Sequence, residues 1–528
     1  MKRTIAAAVV SGTIALACGR SARVSTSAPT QCEQLSTVKL ENTVIASAER
    51  VTRGVLTPPG ARDSLTNLPP FCRVMGEIRP TSDSQIAFEV WMPLDNWNGK
   101  FAGVGNGGWA GVISYPALAG ELRRGYAAVS TNTGHVAEPG LDMAKFAYGH
   151  PERLADLGWR SVHEMTVKGK AITQAFYGRP ARYAYFIGCS TGGKQGLTEA
   201  QRFPSDYDGI VATAPANNWV KLMAGTFAPS RAAAVDSAGR LPAPVRRILH
   251  DAALRACDAF DGVADSLITN PAQCTFDPAT VQCAAGSESS GTCLTAAQVR
   301  AARAMYDGLR DPAGQKVWPG LPPGSEPFWG PLTNPNMPFP IPVSYYRWVV
   351  FGDATWDWKA FDLANPNDWA RHLDGERKYA PVLSAIDPNL RAFRDRGGKL
   401  IQIHGWNDQL ISAQNSIDYY ESVVAFERVG RDRDATLRAV QGFHRLFMAP
   451  GMLHCAGGPG PNTFDAHGAL EAWVERGIVP DSIIATHLTN GVPDRTRPLC
   501  PYPKVAAYKG SGDVNRAESF MCAVPSTR

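Results

Sequence analysis

Short apolar segments of the strand type alternate with segments of helical spacing in two parts of the chain. Apolar runs bounded by turn residues predict strands, and they lie at 86–92, 100–104, 126–130, 183–187 and 399–404. Helical spacing occurs at 161–177 and 195–203. Strands that alternate with helices in this way predict an α/β fold built on a parallel sheet.

The alternation is lost between residues 216 and 385. This stretch is rich in proline and tryptophan and contains four cysteines. A structureless loop of such length is uncommon in a compact domain, so we predict an inserted domain over 216–385. The main domain then comprises 32–215 and 386–528, which suits a chain of 528 residues that exceeds one compact core.

The composition is that of an ordinary globular protein, with 44% hydrophobic residues, 19% charged residues and a net charge of +5. No basic run stands out, so nucleic acid is not an expected partner. A membrane-spanning helix is not expected either, because no stretch beyond the N-terminus approaches about 20 apolar residues.

The N-terminus predicts an export signal over residues 1–17. Lys2 and Arg3 precede an apolar run, and residues 15–17 suit a small-x-small cleavage site. Cys18 follows directly, so lipoprotein processing with a lipid anchor at Cys18 is the alternative. In both cases we expect a secreted or periplasmic protein.

Ten cysteines are left after the signal, an even number that favours disulfides in an exported protein. No Cys-x-x-Cys spacing supports zinc instead. The sequence alone does not determine the pairing. Closing each cysteine on its neighbour suggests Cys32–Cys72, Cys257–Cys274, Cys283–Cys293 and Cys500–Cys522, which leaves Cys189 and Cys455 for each other.

Residues 188–192, Gly-Cys-Ser-Thr-Gly, match the G-x-S-x-G pattern between a predicted strand and a predicted helix. The glycines allow a turn so tight that the serine side chain stands clear of the sheet. Ser190 is therefore the candidate nucleophile, and it needs a base to remove its proton. A plain strand-to-helix turn is the alternative interpretation.

Asp408 and His454 are the candidate partners, in the order Ser, acid, His that this motif requires. Asp408 follows the last predicted strand closely, although it could instead cap the next helix. His454 lies in a glycine-rich segment. Asp465 and His444 are weaker candidates, because Asp465 follows the histidine and His444 lies in a more regular segment.

A bond between Cys189 and Cys455 would make Ser190 and His454 near neighbours, because a disulfide holds its two Cα atoms about 4.4–6.8 Å apart. Each cysteine adjoins one of the two candidate residues in the chain. The alternative is that Cys189 and Cys455 belong to two separate disulfides, each with another cysteine.

Acyl transfer also needs hydrogen-bond donors for an oxyanion. The N–H of Thr191, directly after the candidate nucleophile, is one candidate. The second donor is expected in the glycine-rich segment 105–109, from Gly107 or Gly108. A phosphate-binding loop is the alternative for this segment, but the Walker lysine pattern is absent from the sequence.

A loop of the predicted insert carries the three carboxylates of Asp258, Asp261 and Asp265, and a Cys257–Cys274 bridge would close it. Oxygen-rich loops of this kind suit Ca²⁺, although the spacing is not that of an EF-hand. On the residues alone, a solvated acidic turn is an equally good interpretation.

Taken together, segments 188–193, 404–408, 454–455 and 457–460 resemble the tannase/feruloyl esterase family, which includes the hydrolase of mono(2-hydroxyethyl) terephthalate. The resemblance extends over residues 32–522. It implies an α/β-hydrolase catalytic domain, with 216–385 as a lid. The family's hallmark is a disulfide between the residue before the nucleophile and the residue after the histidine, here Cys189 and Cys455.

The resemblance also implies a structural calcium ion in the lid and no organic cofactor. Its ligands would be the side chains of Asp258, Asp261 and Asp265 and the carbonyls of Val263 and Leu267. Ser266 stands where many members of the family have glycine, so the shape of this loop is an open point.

The implied substrates are small esters of aromatic acids: gallate, hydroxycinnamates or terephthalate monoesters. Trp348 and Trp356 are candidates to stack on an acyl ring, and Arg347 is a candidate to meet a carboxylate, although core packing is the simpler role for the tryptophans. The alternative functions are an acyltransferase or peptidase on the same scaffold, and a catalytically inactive binding protein.

Overall fold

The computed structural model describes residues 30–287, 291–430 and 432–525. The predicted signal peptide 1–17 and Cys18 lie outside these residues. The strands, in chain order, are β1 (Thr43–Val51), β2 (Phe71–Ile78), β3 (Ile86–Pro93), β4 (Lys100–Val104), β5 (Ala127–Thr131), β6 (Tyr183–Cys189), β7 (Gly209–Thr213), β8 (Leu309–Arg310), β9 (Lys316–Trp318), β10 (Lys399–Gly405), β11 (His444–Ala449), β12 (Ile483–Thr489), β13 (Val492–Leu499), β14 (Val505–Tyr508) and β15 (Phe520–Ala523).

The helices are of very unequal length, and the longest flank the sheet or build the insert. In chain order they are α1 (Tyr115–Arg123), α2 (Pro151–Ala155), α3 (Ser161–Tyr177), α4 (Thr191–Arg202), α5 (Trp219–Val235), α6 (Ala243–Cys257), α7 (Ala296–Asp307), α8 (Gly330–Thr333), α9 (Pro340–Ser344), α10 (Pro366–Leu383), α11 (Arg391–Asp395), α12 (Gln414–Glu427), α13 (Arg433–Gln441) and α14 (Ala466–Arg476).

A mixed sheet of nine strands forms the centre of the main domain, in the order β1-β2-β3-β5-β4-β6-β7-β10-β11. The run from β5 to β11 is parallel, and β1, β2 and β3 extend it as antiparallel strands. This confirms the predicted α/β fold with a parallel sheet.

Both faces of the sheet are covered by helices. One face packs on α3, α4, α12 and α13 in a single large apolar cluster. The other face packs on α14 and, nearer its antiparallel edge, on α1. Buried on both sides, the parallel strands are almost continuously apolar, as such strands usually are.

The predicted insert, residues 216–385, lies between β7 and β10. It contains α5 to α10 and the β8–β9 hairpin, and it has an apolar cluster of its own between residues 241 and 332. A second cluster packs the insert against residues 109–157 of the main domain. No helix in the described part of the chain is long and apolar enough to cross a membrane.

One helix begins earlier than its spacing predicts. The sequence pattern places its start at residue 195, whereas α4 begins at Thr191, directly after Ser190. Three glycines within its first six residues (192, 193 and 196) remove the apolar periodicity from this turn of helix. The earlier start brings the N-terminus of α4 to the candidate nucleophile.

Candidate active site

The candidate residues converge at the carboxyl ends of the parallel strands, where α/β sheets place their ligands. Ser190 follows β6, Asp408 follows β10, and His454 follows β11. The segment that contains Gly107 and Gly108 follows β4. Four separate stretches of chain therefore meet at one edge of the sheet.

Ser190 lies in a strained turn between β6 and α4. Its φ is 62° and its ψ is −121°, a conformation that non-glycine residues rarely adopt. The turn is closed tightly, because a Cβ on Gly188 would lie 2.4 Å from the carbonyl carbon of Gly192. The Ser190 N–H donates to the Thr213 carbonyl at 3.0 Å, which anchors the turn to the neighbouring strand.

Asp408 and His454 form a hydrogen-bonded pair. The Nδ1 of His454 lies 2.7 Å from Oδ2 of Asp408, and this carboxylate is fully buried. A proton on Nδ1 leaves Nε2 of His454 free to act as a base. The other oxygen, Oδ1, accepts the N–H groups of Leu410 and Ile411, each at 2.9 Å. Asp408 thus contacts the imidazole through one oxygen and caps the following turn through the other.

The contact between Asp408 and His454 shifts the pKa values of both residues in the direction that suits a base and its acidic partner. Burial alone would raise the pKa of Asp408, but the imidazoles of His454 and His404 hold it well below its usual range. Burial likewise lowers the pKa of His454, and the Asp408 carboxylate outweighs it and raises that pKa above its ordinary value. Asp408 is therefore ionised throughout the neutral range.

The proposed oxyanion donors lie side by side. The Thr191 hydroxyl donates to the Gly108 carbonyl at 2.6 Å, which ties the start of α4 to the loop after β4. Among the described residues, none accepts a hydrogen bond from the N–H of Thr191, Gly107 or Gly108. A Cβ on Gly107 would meet nothing within 4 Å, so this backbone is open to the cavity.

The structure contains the five disulfides that neighbour closure suggests: Cys32–Cys72, Cys189–Cys455, Cys257–Cys274, Cys283–Cys293 and Cys500–Cys522. The Cα atoms of Cys189 and Cys455 are 5.8 Å apart across 266 residues of sequence. Cys455 has a φ of 66°, in the left-handed region. The bridge thus joins the turn of Ser190 to the loop of His454.

A cavity of about 810 Å³ opens over these residues. Its floor includes Ser190, Thr191, His454 and both glycines. Its walls come from the insert and from the loops after β10 and β11, and they are lined by Trp219, Leu222, Met223, Thr226, Phe339, Ile341, Leu410, Ile411 and Phe464. The candidate nucleophile, the candidate base and the candidate oxyanion donors therefore share one substrate-sized space.

A family model described as tannase and feruloyl esterase matches residues 72–523. The chain belongs to this family. An uncharacterised esterase of Xanthomonas campestris is 37% identical, over 94% of this chain and 92% of its own. A probable feruloyl esterase B-2 of Aspergillus terreus is 34% identical, over 86% of each chain.

Solved structures agree with this membership. Feruloyl esterase B from Aspergillus oryzae superposes with a TM-score of 0.85 and 29% identity, over 93% of this chain and 99% of its own. The tannin acyl hydrolase from Aspergillus niger superposes with a TM-score of 0.75 and 25% identity, over 92% of each chain. The core is thus of the α/β-hydrolase type, and the protein is a carboxylic ester hydrolase.

The weaker candidates for acid and base lie elsewhere in the esterase. Asp465 caps α14 by accepting the Gly468 N–H at 2.9 Å. His444 is buried in β11, where its Nε2 lies 3.1 Å from Oε1 of Gln402, and burial lowers its pKa to about 3. Neither residue lines the cavity.

The acidic loop of the insert is folded around its carboxylates. Asp258 accepts the N–H groups of Ser266 and Leu267 at 2.9 and 3.0 Å, and Asp261 accepts the Val263 N–H at 3.0 Å. Asp265 pairs with Arg497. Ser266 has a φ of 67°, which explains why glycine suits this position.

The carboxylate and carbonyl oxygens of this loop suit a hard cation, but the three carboxylates are not arranged around a single point. Burial raises the pKa values of Asp258 and Asp261, and the charge of Asp265 adds to both shifts. A cation beside these carboxylates would offset their burial and their mutual repulsion. However, the oxygens of the three aspartates do not all lie within 4.8 Å of one another. In the described part of the chain, that criterion is met by His163, Glu199 and Asp206 alone.

Two features of the esterase have no signal in the sequence pattern. One is the cluster of His163, Glu199 and Asp206, which α3, α4 and the following turn bring together outside the cavity. Burial, with Asp206 adding to it, raises the pKa of Glu199 well above its usual range. The other is His404, whose Nε2 lies 3.1 Å from the same Asp408 oxygen that His454 uses.

Proposed function

We propose that this esterase hydrolyses esters of aromatic carboxylic acids by a serine mechanism. Ser190 attacks the ester carbonyl while His454 takes its proton. Asp408 holds the imidazole in the required tautomer and stabilises its charged form. The N–H groups of Thr191 and of Gly107 or Gly108 receive the oxyanion. His454 then protonates the departing alcohol, and a water molecule, activated by the same imidazole, releases the acid.

The hydrogen bond from His454 to Asp408 carries this proposal. Its length of 2.7 Å supports a proton on Nδ1, which leaves Nε2 of His454 as the base in the cavity that Ser190 also lines. The bridge between Cys189 and Cys455 supports it, because it places the residues adjoining nucleophile and base 5.8 Å apart.

Replacement of the nucleophile tests the mechanism. Ser190→Ala should lower kcat on methyl ferulate by roughly four orders of magnitude or more, with an unchanged circular dichroism spectrum. An aryl phosphonate should label Ser190 in the parent protein, as peptide mass spectrometry would show. Activity that survives in Ser190→Ala, or a label on another residue, would contradict the assignment. Parallel assays of amide cleavage and of transfer to an alcohol separate hydrolysis from the two alternative activities.

For the acidic loop of the insert we propose a structural calcium ion. Asp258, Asp261 and Asp265 would hold it, with the carbonyls of Val263 and Leu267. Its contribution would be to neutralise carboxylates that are partly buried together, and it takes no part in the reaction. The raised pKa values of Asp258 and Asp261 support the proposal.

We further propose export, either as a secreted protein or as a periplasmic one. The five disulfides support it, because such bonds persist in oxidising compartments. Mass spectrometry of the mature N-terminus from the native host distinguishes cleavage after Ala17 from lipidation of Cys18.

A further inference from the structure

In the described part of the chain, no permanently charged side chain lines the cavity over Ser190. Among these described residues, its lining includes no aspartate, glutamate, lysine or arginine. The one side chain there that can become a cation is His454, and its imidazole is engaged at the reacting carbonyl. Behind that imidazole, 2.7 Å from its Nδ1, lies the Asp408 carboxylate, which is an anion.

Four polar side chains of the lining are already hydrogen-bonded to the protein backbone. The hydroxyls of Ser114, Thr191 and Thr226 donate to the carbonyls of Gly105, Gly108 and Leu222 at 2.6–2.8 Å. The amide of Asn106 donates to the carbonyls of Val112 and Thr131. Outside the reaction centre, the described lining thus offers a bound anion no cation, and its one buried side-chain donor without a partner is Nε1 of Trp219.

The arginines of the insert do not supply the missing charge. Arg347 bonds to the Ala354 carbonyl and stacks on Trp348, outside the cavity lining. Arg240 and Arg310 line a second cavity of about 270 Å³, which shares only Thr226 and Leu410 with the first. Both of these arginines are exposed to solvent.

We propose that this cavity selects esters whose acyl group is neutral and largely apolar, and that it discriminates against acyl groups with a second carboxylate. The inference rests on the proposed serine mechanism and narrows its substrate class. Desolvating a carboxylate without a partner is strongly unfavourable, whereas aromatic and aliphatic walls favour a neutral ring. Terephthalate monoesters are therefore poor substrates, and neutral benzoates and cinnamates are good ones.

Three methyl benzoates of nearly equal shape test this. They carry a para isopropyl group, a para carboxamide and a para carboxylate, and each kcat/KM is divided by the ester's own rate of hydroxide hydrolysis to remove electronic effects. At pH 7.5 the carboxamide should exceed the carboxylate at least 100-fold, and the isopropyl ester should match or exceed the carboxamide. A carboxylate ester within tenfold of the carboxamide would overturn the inference while leaving the esterase mechanism intact. No turnover of any ester would instead refute the proposed function.

A cation placed in the wall provides the converse test. Phe339 lines the cavity and is only partly buried, so it can be replaced by a long side chain. Phe339→Arg should raise kcat/KM for the carboxylate ester at least tenfold relative to the carboxamide, and Phe339→Gln, the matched neutral change, should leave that ratio within twofold. Thermal melts of both variants check that they fold. A folded Phe339→Arg protein with the parental ratio would also count against the inference.

Discussion

Removal of the Cys189–Cys455 bridge should lower both stability and activity, whereas removal of Cys500–Cys522 should lower stability alone. The first bridge joins the turn of the nucleophile to the loop of the base across 266 residues. The second closes 22 residues between β13 and β15 and does not line the cavity. Replacing both cysteines of a bridge by alanine leaves no unpaired thiol in either variant.

The expected losses of stability follow from the loop lengths. In the chain-entropy model a closed loop of 266 residues contributes about 5.6 kcal/mol at 25 °C, and one of 22 residues about 3.4 kcal/mol. The Cys189→Ala/Cys455→Ala variant should therefore lose about 2 kcal/mol more than the Cys500→Ala/Cys522→Ala variant. Guanidinium unfolding followed by fluorescence measures this difference.

The expected loss of activity follows from the position of His454. Its neighbour Cys455 has a φ of 66°, which alanine disfavours, so the loop should relax once the bridge is gone. A displacement of about 1 Å at a catalytic group lowers the rate by about 100-fold. We expect that loss in kcat/KM for methyl ferulate in the first variant and less than a threefold change in the second.

Two results would refute this reasoning. If the folded Cys189→Ala/Cys455→Ala protein kept kcat/KM within threefold of the parent, the bridge would have no role in aligning the site. If both variants lost activity to the same degree, the effect would be a general loosening of the fold. Both assays are run well below the unfolding midpoint of each variant.

The remaining predictions concern titration, the oxyanion loop and calcium. In the proposed mechanism neutral His454 is the active form, and its pKa is raised, so kcat/KM should fall on the acid side with a midpoint above about 6.5. Asp408→Asn should move that midpoint below 6.5, because the carboxylate that raises the pKa of His454 is gone. The same change should remove the stabilisation that the ionised carboxylate provides above pH ~3.9, so the free energies of unfolding of variant and parent should converge in acid. His404→Leu should raise the midpoint by up to about one unit, because it removes a donor from the oxygen that pairs with His454; an unchanged pH profile would contradict this. Thr191→Val should lower kcat roughly tenfold with little change in KM, since it frees the oxyanion loop from α4; a change in KM alone would contradict that role. Excess Ca²⁺ should raise the Tm and EDTA should lower it, with Mg²⁺ as the control and no response in Asp261→Asn; a parental Tm that ignores Ca²⁺ would refute the calcium site.

The sequence predicts the parallel core better than the antiparallel edge. Central strands such as β6 and β10 are covered on both faces and therefore appear as short apolar runs. In β1, by contrast, four of nine residues are exposed, so no apolar run marks it. In β2 an arginine interrupts the apolar pattern, and only the fold shows that Arg73 is neutralised by Glu89 at 2.8 Å.

The same contrast applies to the site. The candidate nucleophile Ser190 is marked by a local motif, and its candidate partners are marked by their order along the chain. His404 could not be assigned a role, because its contact with Asp408 depends on how the chain turns back after β10. The choice between Gly107 and Gly108 also stays open from the sequence, since both have the conformational freedom that such a loop needs.

The electrostatic character of the cavity is the property furthest from the sequence, because it depends on which charges are absent. The walls combine α5, the segment 339–341, the loop after β10 and the segment 462–464, and no periodicity links these parts. Arg347 illustrates the difficulty: it lies in the predicted lid among aromatic residues, and its chemistry suits a substrate carboxylate. In the structure its guanidinium is engaged by the Ala354 carbonyl and by the face of Trp348, so it is not directed at the substrate. Selectivity for a neutral acyl group therefore follows from packing in the insert, and it can be altered there without touching Ser190, His454 or Asp408.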